Sequence, residues 1–165
     1  MIFVTVGTQL PFIRLIDTMA ELAPTLGEPV IAQTGPHGAE DAARWGALEL
    51  HEHLTPGRFD ECFKAARVVV GHAGMGTVLS ARRHDKPVIL LPRRHELGEH
   101  RNDHQMATAR EVARLAGVHV AFAAEEIAPL LASDLSGPSA ADPACDAPSE
   151  KAALIARLQG FIAGA

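Results

Sequence analysis

Two polar stretches of this 165-residue chain hold the side chains best suited to chemistry: Gly71-His72-Ala73-Gly74-Met75-Gly76-Thr77, and the run from Arg93 to Gln105. The glycines at 71, 74 and 76 lack Cβ atoms, so their backbone can take positive φ and approach a ligand closely. Thr77 stands where a helix begins, with unpaired N–H groups and a positive dipole end facing outward, and that geometry favours phosphate. His72 lies within the turn, where an imidazole could donate to a phosphate or a sugar hydroxyl. The spacing G-x-x-x-x-G-T resembles a P-loop, but the lysine that reaches the outer phosphates is missing, which excludes an NTPase of that kind. The dinucleotide fingerprint fails too, because its glycines should follow the first strand.

In the second stretch, Glu99 and His100 are candidate bases, with plain exposed loop charge as the alternative for each. Asn102 or Asp103 is expected to cap a helix. Asp103, His104 or Gln105 would face a cleft and bond hydroxyls, since carboxylate and amide groups suit vicinal diols. His100 and His104 have the i, i+4 spacing of metal-binding helices, but Arg101 stands where such helices carry Glu. A guanidinium beside two imidazoles disfavours a dication, so no metal site is expected. Gly7-Thr8-Gln9 forms another turn. Alone it is an ordinary β–α connection; on the same edge as the 71–77 turn it would complete a cleft for a diphosphate.

The elements that must position these groups follow from apolar patterning. Residues 2–6, 29–33, 47–50, 68–70, 88–91 and 118–122 read as short buried strands, and solid apolar runs of this kind mark a parallel sheet. Helices are expected over 10–26, 58–66, the segment after Thr77, 102–116 and 125–131, with one helical turn at 41–45. Alternation of strand and helix predicts an α/β, Rossmann-like parallel sheet with helices on both faces. Polar groups just past the carboxyl ends of its strands are where such sheets bind ligands.

The length suits one domain. A formal charge of −5 with no basic stripe argues against nucleic acid. Cys62 and Cys145 match no zinc or redox spacing, which fits a reducing cytoplasm. The opening residues lack the features of a signal peptide. No apolar run approaches the ~18 residues a membrane span needs, so any membrane association would be peripheral. Residues 1–132 are expected to form the folded domain. Residues 133–149, rich in Pro, Ser, Asp and Ala, read as a flexible linker. Residues 150–165 read as an amphipathic helix with Leu154, Ile155, Leu158, Phe161 and Ile162 on one face, packed on its own sheet or on a partner.

The stretches at 1–12, 71–77 and 97–105, with Gln33, Gly35, Lys86-Pro87 and Pro92-Arg93, resemble the C-terminal domain of glycosyltransferase family 28, one half of the GT-B fold. The chain is most similar to single-domain PssE/EpsE-like members. These are small subunits of two-part transferases, as in exopolysaccharide synthesis and the eukaryotic dolichol-linked UDP-GlcNAc transferase. The resemblance implies a UDP-sugar donor over the carboxyl edge of the sheet. Gly74, Met75, Gly76 and Thr77 would cradle the diphosphate with Gly7 and Thr8, and His72 would lie near the donor. Asn102, Asp103, His104 and Gln105 would contact the sugar. It further implies inverting, metal-independent transfer of a hexosyl group with no cofactor, and a membrane-anchored partner supplying the acceptor half at the inner face of the membrane. The family carries Glu at the position of Ser80, where the carboxylate holds the ribose. A non-catalytic nucleotide-sugar-binding scaffold is the alternative that this difference favours.

Overall fold

The computed structural model describes residues 1–7 and 10–138. Six strands form one all-parallel sheet: β1 (Ile2–Thr5), β2 (Val30–Gln33), β3 (Glu49–His51), β4 (Val68–His72), β5 (Val88–Leu91) and β6 (Val118–Val120), in the order β3-β2-β1-β4-β5-β6. The helices between them are α1 (Ile13–Leu22), α2 (Ala39–Arg44), α3 (Pro56–Ala65), α4 (Met75–Arg83), α5 (His104–Val112) and α6 (Ile127–Ala132). The expected Rossmann-like architecture is the one observed.

Alternation along the central strands divides the core. Ile2, Val4, Val68, Val70, Ile89 and Leu91 pack with Leu15, Ile16 and Met19 of α1 and Ile127 and Leu131 of α6. Phe3, Val69, Val88 and Leu90 point the other way, against Phe63, Val78, Ala81, Ala109 and Val112. Both faces of β1, β4 and β5 are therefore closed to water, which is why these strands read as unbroken apolar runs. Phe3 meets Phe59 and Phe63 edge-on with centroids 5.4 Å apart in each case, the arrangement favoured by the ring quadrupole.

Several boundaries differ from expectation, each for a local reason. α1 ends at Leu22, not 26, because Pro24 cannot continue its hydrogen-bond ladder and the chain tightens into a 3-10 turn over Ala23–Thr25. α5 spans His104–Val112 rather than 102–116; the chain must reverse into β6, and Gly117 does so at φ +74°. β4 runs on to His72, which places the imidazole at the end of a central strand. α3 begins as expected at the Thr55-Pro56-Gly57 signal, with Thr55 Oγ1 accepting from the Arg58 N–H at 3.3 Å.

After α6 the chain returns to the amino edge of the sheet. Leu135 packs against the first core cluster, and Gly137 and Pro138 lie against Asp85, Pro87 and Gly117. The rest of the expected linker and the amphipathic helix at 150–165 lie outside the described residues.

Candidate functional site

The polar interior of this domain is gathered at one edge. Thr5 ends β1, Gln33 ends β2 and Thr34 follows it; Thr77 lies in the first turn of α4, Arg93 follows β5 and Gln105 lies in the first turn of α5, and all six side chains are buried. Buried polar groups are normally fully bonded. Yet Gln33 Oε1, His72 Nδ1, Arg93 Nε and Arg94 Nε, all at this carboxyl edge, have no partner among the described residues. His119 Nε2 on β6 is the one such atom elsewhere among them.

The centre of the edge lies between β1 and β4, where the strand order reverses direction. Gly7 leaves β1 at φ +82°, and a Cβ there would stand 2.9 Å from His72 Cε1. On the other side, a Cβ on Gly74 would stand 2.3 Å from His72 Nε2. The imidazole is thus held between two glycine turns. Its burial, then the nearby Arg93 charge, lower its pKa to about 4, against an opposing hydrogen bond to the Thr5 backbone. His72 is neutral at physiological pH.

The glycines of the 71–77 turn serve a different purpose from the one expected. None of Gly71, Gly74 and Gly76 has positive φ. Gly71 is needed because a Cβ would lie 3.0 Å from both Thr5 O and Thr77 Cγ2, Gly74 because of His72, and Gly76 has open space around it. Close approach is the reason, not backbone handedness. The helix also starts earlier than expected: Gly74 is the N-cap and Thr77 lies inside the first turn, buried. The N–H groups of Met75 and Gly76 have no acceptor among the described residues, so the helix start faces outward with free donors. Ser80 lies one turn further along the face of Gly76, half-buried. Thr8 is outside the described residues.

The loop after β5 is held by its own bonds. Asp103 is the N-cap of α5 but makes no side-chain cap. Its Oδ1 instead accepts from the His95 N–H at 3.2 Å, while Asn102 Oδ1 accepts from the His104 N–H at 3.3 Å and lies 3.1 Å from His100 Nδ1. Asn102, Asp103 and His104 are exposed. Gln105, in contrast, is buried, and its Oε1 accepts from the Arg93 N–H at 3.1 Å. Glu99, a candidate base in the sequence, forms a forked ion pair with Arg14 at 2.7 and 2.8 Å and also accepts from the Arg94 N–H at 2.9 Å. Both of its oxygens are committed. Among the described residues no group of three or more His, Cys, Asp or Glu could hold a metal ion.

Thr5, Arg14 and Arg93 were not among the expected site residues. A polar residue closing an apolar strand, and an arginine directly after the Pro92 that ends one, are the signals that point to such positions.

The sequence profile of the glycosyltransferase family 28 C-terminal domain matches residues 1–155. The chain belongs to this family. The family 28 domain has the fold of ALG13, whose solution structure superposes with a TM-score of 0.60 at 20% identity over 87% of this chain and 91% of that one. It is also similar to MurG of Acinetobacter baumannii (TM-score 0.58, 18% identity, 79% of this chain and 40% of MurG). A third likeness is to the glycosyltransferase SsfS6 of Streptomyces sp. SF2575, solved with thymidine diphosphate (TM-score 0.50, 19% identity, 90% of this chain and 33% of that one). The family 28 domain therefore spans well under half of MurG and SsfS6. No curated protein matches the chain. No helix among the described residues is long and apolar enough to cross a membrane.

Proposed function

We propose that this chain is the donor-binding half of a UDP-sugar glycosyltransferase whose acceptor half lies on a separate, membrane-anchored partner. The observation that carries this reading is the concentration of buried, partly unbonded polar groups around free helix N–H groups at the β1–β4 edge. The nucleoside diphosphate bound to SsfS6, a protein of the same fold, supports it.

In this reading the diphosphate lies against Gly74, Met75, Gly76 and Thr77, where the α4 dipole and amides balance its charge. Gly7 approaches from the β1 side. Neutral His72 offers the donor a hydrogen bond without a full charge, and Asn102, Asp103 and His104 reach the sugar. An acceptor hydroxyl attacks the anomeric carbon. The bond from that carbon to the diphosphate oxygen breaks with inversion, and UDP leaves with the electron pair toward the helix N-terminus. The hydroxyl proton passes to a base; Glu99 is spent on Arg14, so His100 or a partner residue takes that role. No cofactor or metal is required. The partner would hold the protein at the inner face of the membrane, and the acceptor would be lipid-linked or a growing polysaccharide. Leu10, Ile13 and Leu97, exposed beside the same edge, give the partner an apolar rim.

Ser80, standing where the family has Glu, favours a second reading, a nucleotide-sugar-binding module without catalysis. Calorimetric titration with UDP, and with GDP and ADP as controls, tests the first. Saturable UDP-selective binding that EDTA leaves unchanged is expected, and equal affinity for all three nucleotides refutes the UDP assignment. Transfer of sugar by the chain with its co-purified partner separates the enzyme from the scaffold.

A further inference from the structure

Two loops flank the edge, one after β1 and one after β5, and a set of arginine contacts ties them together. Arg93 is only 4% exposed and, among the described residues, forms no ion pair within 4 Å. Its Nη2 donates to Val6 O at 2.9 Å and to Leu10 O at 2.6 Å. One guanidinium thus ties the chain just before Gly7 to the chain at Leu10. A second tie lies further out. Arg14, in the first turn of α1, reaches across to Glu99 through the forked pair and to Pro92 O at 2.9 Å. The Phe12 ring meets both cations, its centroid 5.0 Å from Arg93 and 5.3 Å from Arg14.

We propose that Arg93 and the Arg14–Glu99 pair are positioning residues that lock the β1 loop to the β5 loop and thereby hold Gly7 against His72 in the donor site. This rests on the nucleotide reading above. An apolar side chain would fill the place of Arg93 at less desolvation cost, so stability alone does not account for a buried guanidinium there. The rigid guanidinium plane fixes the direction of both Nη2 hydrogens toward the two carbonyls, whereas a lysine ammonium would bring rotatable donors on a flexible stem. Glu99, by the same argument, acts through Arg14 and the Arg94 backbone rather than on the substrate.

The test uses the full ¹⁵N-labelled chain and its Glu99→Ala, Glu99→Gln and Arg93→Lys variants, each titrated with UDP. Glu99→Ala should weaken UDP binding about tenfold or more, with Glu99→Gln, which keeps one acceptor, losing less. The amide resonances of Gly7 and Gly98 should move while those of Val4, Val70 and Ile89 stay in place. Arg93→Lys should move Gly7 as well; should it fail to fold, the half-buried Glu99 decides alone. A base would leave UDP affinity intact, so affinity within about twofold of the parent, with Gly7 unmoved, overturns the proposal. Should the parent itself not bind UDP, the nucleotide reading falls, and the lock stands or falls on whether Gly7 moves in Glu99→Ala.

Discussion

Replacing the three glycines of the 71–77 turn by alanine one at a time should give three different results. Gly76 is in the first turn of α4, and a Cβ added there would meet no atom within 4 Å. Alanine at this position should stabilise by about 0.5–1 kcal/mol through helix propensity, raising Tm by about 1–4 °C. At Gly71 the Cβ meets the Thr5 carbonyl and Thr77 Cγ2, both at 3.0 Å. The carbonyl is backbone of the neighbouring strand and cannot give without disturbing the sheet, so overpacking should cost about 1–3 kcal/mol. Gly74 has an extended backbone, φ −104° and ψ 141°, that alanine adopts freely. Its clash is with the far end of the His72 side chain, 2.3 Å away, which can swing aside. Stability should change by no more than about 1 kcal/mol, while the displaced imidazole and the filled gap weaken UDP binding. Urea melts followed by the fluorescence of Trp45, the sole tryptophan, give the stabilities. Calorimetry and the His72 ring resonances give the rest. If Gly76→Ala costs as much as Gly71→Ala, the glycines serve backbone freedom and the steric argument is wrong.

His72 is held neutral in the fold, so the unfolded chain binds more protons than the folded one between its ordinary pKa of 6.5 and about 4. Stability should therefore fall as pH drops through that window, by up to about 3 kcal/mol from this group, and a His72→Gln chain should lose that part of the dependence. Ser80→Glu should tighten UDP binding if the nucleotide ribose lies over α4, and calorimetry showing no gain would place it elsewhere. Thr55→Ala should cost about 1 kcal/mol by removing the α3 cap, read as a lower urea midpoint with an unchanged slope.

The architecture was legible because β1, β4 and β5 are buried on both faces and so carry no polar interruption from Val68 to Val70 or Val88 to Leu91. The carboxyl-edge location of His72 and of the Met75–Thr77 helix start was legible for the same reason. The roles of individual polar side chains were not, because they are decided by neighbours distant in sequence. Glu99 reads as a free carboxylate until Arg14 is folded against it, and Gln105 as a cleft residue until Arg93 claims its carbonyl. The need for Gly71 was visible in the turn, but its cause, the Thr5 carbonyl on a strand that precedes it by three β-α units, was not.

The position of β1 also bears on how the protein is made. It pairs with β2 on one side and β4 on the other, so it leaves the ribosome before β4 has been made. One edge of Ile2-Phe3-Val4-Thr5 then stays open until Val68 has been synthesised. An unpaired apolar β-branched strand is a template for wrong association, and parallel pairing over such a separation forms slowly. Nascent chains of this protein should therefore depend on chaperone cover until β4 emerges, and slow translation of residues 34–67 should lower soluble yield more than slowing anywhere after β5.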